Sequence, residues 1–396
     1  MRAIGIVAVL VLSLVGSLRA QTRAPATQPV QAARFRNGLP TNPGFFPIAV
    51  WLQDVRNLKR YQEIGVNLYV GLWRGPTEEQ LVALEKAGMP VICSQNEVGL
   101  RNLNRRVIVG WMHQDEPDNA QSLGQGKGYG PPVLPEKIIA DYKRMKERDP
   151  SRPVFLNLSQ GVAWDKWYGR GVRTNKPEDY PQYVQGADVL SFDIYPVTHT
   201  HKDVMGKLWY VPFGVERLRG WVNDPKPVWT CIECTNIENP EKKPTPQQVR
   251  SIVWMSIIHG AKGMVYFCHS FKPTSDEDAL LPDKQMSAAV AAINKEVTSL
   301  AAVINSPMVA DGVTVESSAA ETVPVATMVK KRSGGTFVFA SAMREGTTTA
   351  TFRVPGVVGK KRVFVLGENR WLDSVDGVWK DEFGSYDVHL YRVMTP

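Results

Sequence analysis

Cysteine is scarce in this chain. Four occur in 396 residues, Cys93, Cys231, Cys234 and Cys268, each inside an apolar, strand-like segment. Cys231 and Cys234 make a C-x-x-C spacing, the pattern of redox and zinc sites. On an extended strand, residues three apart stand roughly 10 Å from each other, beyond disulfide reach. The thiols therefore read as buried and free, with a Cys231–Cys268 bridge between neighbouring strands as the alternative. Histidine is sparse too: His199 and His201 lie two apart, but no carboxylate or thiol is placed to complete a metal site with them. No G-x-S-x-G element marks a serine nucleophile. The Gly-rich run GQGKGYG, Gly124 to Gly130, lacks Ser or Thr after Lys127 and joins no strand to a helix, so it is no phosphate loop. It reads as a flap. No cofactor is implied.

Long hydrophobic runs are also few. The one near the start, Ile4 to Leu18 behind Arg2 and closing at Ala20, has the form of a secretory signal peptide over residues 1–20. Beyond it no segment reads as long and apolar enough to span a bilayer, so no membrane insertion is expected once the signal is cleaved, and the protein is expected to be secreted or periplasmic. Residues 21–44 are rich in Pro, Ala, Thr, Gln and Arg without periodicity, which predicts a flexible linker. The net charge of +8 is dispersed along the chain, and no nucleic-acid motif accompanies it. Nucleic acid is therefore not an expected partner.

What the chain does have is an alternation. Apolar runs at 45–53, 67–72, 90–95, 107–114, 154–159, 189–195, 228–233 and 263–269 read as strands. Helical patterns at 54–65, 77–88, 135–148, 245–261 and 283–304 fall between or after them. Thr77 is the expected cap of its helix, with Glu79 following. Eight such units predict an α/β fold, a (β/α)8 TIM barrel over residues 45–304. Hydrophobic residues make up 43% of the chain, enough to fill it. After Asn305 the period becomes two. Short runs at 313–315, 323–329, 336–340, 348–354, 362–366 and 389–393 predict a small C-terminal antiparallel β-sandwich over 305–396. Trp371 and Trp379 are its candidates for stacking on a sugar.

Chemistry in such a barrel gathers where strands end. The fourth strand runs into Asp115-Glu116-Pro117, and the seventh ends at Glu233. Two carboxylates facing one pocket are the minimal equipment for glycoside hydrolysis. In these residues the chain resembles the clan of retaining glycoside hydrolases with glutamates ending strands four and seven. The resemblance implies that Glu116 protonates the leaving oxygen and later activates water, while Glu233 attacks the anomeric carbon. It departs from the clan at Asp115, where an Asn is usual; an ionised Asp accepts but cannot donate. Asp115 is placed to share a proton with Glu116 and raise its pKa. Tyr195, in FDIYP, is placed to donate to Glu233.

Asp193, His113, Asn157, Gln95 and His269 are further strand-end candidates for sugar hydroxyls, as is Gln53. Trp51, Trp164 and Trp167, with Tyr168, offer flat apolar faces for pyranose rings. The expected partner is a carbohydrate and the expected activity cleavage of an O-glycosidic bond, β-linked of galactoside or glucan type, by retaining double displacement. The alternative is a non-hydrolytic carbohydrate-binding pseudoenzyme.

Overall fold

A computed structural model describes residues 35–222 and 226–394. The expected signal peptide and most of the linker lie outside them. Eight short parallel strands form the barrel: β1 (Ile48–Trp51), β2 (Leu68–Val70), β3 (Val91–Ser94), β4 (Ile108–Met112), β5 (Val154–Leu158), β6 (Val189–Phe192), β7 (Thr230–Glu233) and β8 (Met264–Phe267). Their order is β6-β5-β4-β3-β2-β1-β8-β7. The ring closes where Leu190 and Val228 bridge, with Leu190 N donating to Pro227 O at 3.0 Å and Trp229 N to Leu190 O at 2.7 Å. The strands are apolar on both faces because both are covered, by the filled interior and by helices. Ala49, Leu68, Ile92, Phe155, Trp229 and Val265 belong to the interior cluster.

The helices are α1 (Leu58–Glu63), α2 (Glu78–Ala87), α3 (Glu97–Arg101), α4 (Pro135–Arg148), α5 (Tyr180–Tyr183), α6 (Tyr210–Trp221), α7 (Pro246–Ile258) and α8 (Lys284–Ile304). Thr77 caps α2, but the reciprocal partner of its capping box is Gln80, three residues on, rather than Glu79. Thr245 and Gln248 make the same box on α7, with Pro246 at its first position. Contrary to the reading of the sequence, α8 is long and apolar enough by length and composition to cross a bilayer. Here Met286, Val290, Ile293 and Val297 bury one face of it in the barrel's outer core.

Part of the expected linker is fixed. Asn37 N donates to Ser151 O at 3.0 Å, its side chain to Ser151 Oγ at 2.9 Å, and the Lys146 ammonium lies 4.3 Å from the Phe35 ring. Short polar side chains in a turn find backbone partners readily, which composition alone does not reveal.

The C-terminal region holds eight antiparallel strands: β9 (Thr314–Ser317), β10 (Val325–Arg332), β11 (Gly335–Ala342), β12 (Thr348–Arg353), β13 (Lys360–Leu366), β14 (Arg370–Val375), β15 (Val378–Phe383) and β16 (Val388–Met394). They follow one order, β10-β11-β16-β13-β14-β15-β12-β9, around a core that includes Val338, Phe352, Val363 and Tyr391. The sequence reading missed β14 and β15. Asp376 and Gly377 join them with φ of 50° and 75°, and Asp-Gly is a two-residue hairpin signal. Trp379 is core, stacked on Phe352 at 5.1 Å, whereas Trp371 is half exposed beside the Arg362 guanidinium. The two regions meet at α7: Ser251 Oγ donates to Tyr386 O at 2.7 Å and Trp254 packs on Phe339.

Candidate active site

Past β4 the chain turns sharply. Glu116 takes a φ of 40°, the left-handed region that favours glycine, and is only partly buried. A non-glycine residue held there costs on the order of 1–3 kcal/mol and persists when its surroundings over-determine it. Those surroundings are explicit. Asn119 N donates to Glu116 O at 3.0 Å, and Asn119 Nδ2 donates to Glu116 Oε2 at 2.8 Å. Asp118, fully buried, accepts from Ser159 N and Oγ at 2.9 and 2.6 Å and from Tyr180 Oη at 2.9 Å, which ties the loop to the end of β5.

Asp193, just beyond β6, is the charged neighbour that acts most strongly on Glu116, and its Oδ1 is buried without a hydrogen-bond partner. Burial, then the charges of Asp193 and Asp115, push the Glu116 carboxyl well above the ordinary glutamate range, which favours its protonated form. Burial raises Asp193 too, while the neighbouring Glu116 and the hydrogen bond from Tyr195 work against that rise. Asp115, expected to share a proton with Glu116, accepts instead from Asn157 Nδ2 at 3.0 Å and acts on Glu116 through its charge. Tyr195 Oη donates to Asp193 Oδ2 at 3.2 Å, not to Glu233. Asp193 and Tyr195 stand two apart just past the end of β6, close enough for that bond.

Glu233 ends β7 as anticipated, but only 1% of it is exposed. Its Oε1 accepts from Val197 N at 2.7 Å, and its Oε2 from Thr198 N and Thr198 Oγ1, both at 3.0 Å. Burial lifts its carboxyl to about 7 against the pull of these donors. Three donors from one turn account for both oxygens.

Several strand-end candidates turn out to face other neighbours. Trp51 lies in the barrel interior. Gln95 donates to Met145 O at 2.9 Å, and the buried His113 pairs with Gly186 O at 2.7 Å, with burial holding it neutral. Gln53 is spent on Trp51 O, Glu277 O and the Tyr61 hydroxyl. His269 meets Leu52 O at 3.3 Å and supports Trp73, whose ring stacks on it at 6.5 Å and is 46% exposed. Trp164 is buried among Trp167, His199 and His201, so it backs an aromatic wall rather than forming its face. Trp167 is half-buried, and Tyr168, 4.6 Å from it, is 63% exposed. All four cysteines are buried and free; Cys234 lies 4.0 Å from Cys268, while Cys231 faces Asn157.

Sequence reasoning missed Asn119 and Thr198. The signal for Asn119 was its place three residues after Glu116, the closing position of a turn from which a short amide reaches back. Nothing local marked Thr198, whose partner is 35 residues away. Among the described residues no group of three His, Cys, Asp or Glu is set to hold a metal ion.

No family model matches the chain, and no curated protein matches it in sequence. Solved structures match in shape. A putative alpha-galactosidase/melibiase from Bacteroides fragilis superposes with a TM-score of 0.54 at 10% identity, covering 90% of this chain and 80% of that one. AmyP, as a variant in complex with maltotriose, gives 0.53 at 10% identity, covering 89% of this chain and 98% of that one. At this identity the likeness is one of fold, a barrel followed by a β-rich region.

Proposed function

We propose that the protein is a glycoside hydrolase, with Glu116 as its general acid and Asp193 as the opposing carboxylate. One observation carries the reading: Glu116, held in a strained backbone conformation beyond the strand ends of a (β/α)8 barrel, has a second carboxyl, Asp193, as the neighbour whose charge most favours its protonated form. A carboxylic acid that keeps its proton at neutral pH can protonate a leaving oxygen, and the ionised partner can stabilise or attack the anomeric centre. Retention would need the two carboxyls about 5 Å apart, and inversion roughly 6.5–9.5 Å. Tyr168 and Trp73 offer flat faces for sugar rings. The solved structures of like fold, among them AmyP in complex with maltotriose and a putative alpha-galactosidase/melibiase, agree with a carbohydrate substrate. Glu233, anticipated as the nucleophile, becomes the anchor of the turn after β6. Residues 1–20 support export.

The test is sugar release from a panel of polysaccharides and aryl glycosides by the wild type and three variants. Glu116→Gln should lower turnover by about 10²–10⁴-fold, least on aryl glycosides whose leaving groups need no proton. Asp193→Asn should abolish it, and Glu233→Gln should retain part of it. An inactive, folded Glu233→Gln rescued by azide, beside an active Asp193→Asn, would return the nucleophile to strand seven. Glycan binding with no cleavage by the wild type would make the protein a non-hydrolytic carbohydrate binder.

A further inference from the structure

Trp167 Nε1 donates to Asn119 Oδ1 at 2.8 Å, and Asn119 Nδ2 donates to Glu116 Oε2 at 2.8 Å. The orientation of this chain is chemically forced. An indole nitrogen only donates, so the amide atom facing it is the oxygen, and the atom facing Glu116 is the NH2 group. Asn119 is further pinned by its backbone bond to Glu116 O and by Gln121 Nε2, which donates to Asn119 O at 2.7 Å. The ring of the exposed Tyr168 lies 4.6 Å from that of Trp167, tilted 48° to it.

We infer that Asn119 and Trp167 are positioning residues that fix the rotamer of Glu116 and link it to the aromatic wall on which a sugar ring stacks. The inference rests on the reading of Glu116 as the acid. The groups facing Glu116 are Asp115 and Asp118 from its own loop and Asp193 and Tyr195 from the end of β6. Against those acidic neighbours, which favour the protonated carboxyl, Asn119 is the donor that favours the ionised one. It holds Glu116 in a single orientation, with one oxygen bound and the other free to serve a glycosidic oxygen. A ring settling on Tyr168 would press on Trp167 and so bear on the acid through two hydrogen bonds.

Two variants separate positioning from packing. Trp167→Phe keeps a ring against Tyr168 and removes only the N–H; Asn119→Ala removes the donor to Glu116. On a substrate that the wild type cleaves, each should lower kcat about tenfold, the scale of one lost hydrogen bond, with KM little changed. The alkaline limb of the rate profile should move to higher pH in Asn119→Ala, because the ionised carboxyl has lost its donor. The double variant should be no worse than Asn119→Ala alone, since both act on one chain of bonds. Independently of turnover, 13C NMR of Cδ-labelled glutamate, with Glu116→Gln to assign the resonance, should show the Glu116 titration midpoint rising in Asn119→Ala. An unmoved midpoint, or additive losses in the double variant, overturns the inference. Silence of the wild type on every glycan would count against the hydrolase reading and leave the titration to decide this one.

Discussion

At the scale of single residues, Glu233 shows how burial and hydrogen bonding compete. Its carboxyl takes three donors from Val197 and Thr198, yet burial raises it from 4.5 to about 7. Between those values the folded protein binds more protons than the unfolded chain, so stability falls as pH rises through that window. Glu233→Gln should remove this slope. It should also cost about 1–3 kcal/mol, because the amide NH2 faces a donor that then has no acceptor. Thermal unfolding at pH 5 and pH 8 checks both, and an unchanged slope would show that Glu233 does not titrate in the folded state. Glu116 is the opposite kind of carboxyl, partly open and with a single side-chain donor, Asn119, on one oxygen. Both residues were legible as strand-end glutamates. Their neighbours were not, because Thr198 and Asp193 reach them only after the barrel closes.

At the scale of elements, the seating of α6 on β6 sets where Asp193 stands. An added Cβ at Gly214 would lie 2.3 Å from the Phe192 ring, the residue just before Asp193. Gly214→Ala should therefore push the helix off the strand, destabilise the protein by about 1–3 kcal/mol as overpacking does, and lower turnover more than such a loss explains. A melting curve paired with kcat tests it; a stable variant with reduced turnover would still support the coupling, and a normal kcat would end it. The sequence reading placed all eight barrel strands but passed over α6. Its stretch Tyr210–Trp221 holds a proline and two glycines, poor helix formers. It is a helix because Val211, Val215 and Leu218 bury against the barrel, a contact that outweighs propensity.

At the scale of the whole molecule, the β-rich region is joined to the barrel through buried polar contacts. Lys330 on β10 is 3% exposed and donates to Ser306 O at 2.7 Å. Burial, then the charges of Lys262 and Arg219, lowers its ammonium from 10.5 to about 7. Between those values the unfolded chain binds more protons than the folded one, so stability rises as pH climbs through the window. Lys330→Met should abolish that rise. Unfolding measured between pH 7 and pH 10 would show it, and an identical rise in the variant would assign it to another group. The wider role of this region follows from Ser251, Trp254 and Arg250, which α7 turns toward Tyr386, Phe339 and Val388. Separated from it, that helix would face water with an apolar side.

The sequence by itself determined the alternation of strands and helices, the change to a period of two after Asn305, and the carboxylates at the ends of strands four and seven. Those are local properties, written in which residues are apolar and at what spacing. Tertiary structure alone decided that Glu116 faces Asp193 rather than sharing its proton with Asp115, that Tyr195 serves Asp193, and that three donors occupy Glu233. Which side chains meet across the mouth of a barrel depends on register, tilt and the paths of loops dozens of residues apart, and no local pattern encodes that meeting.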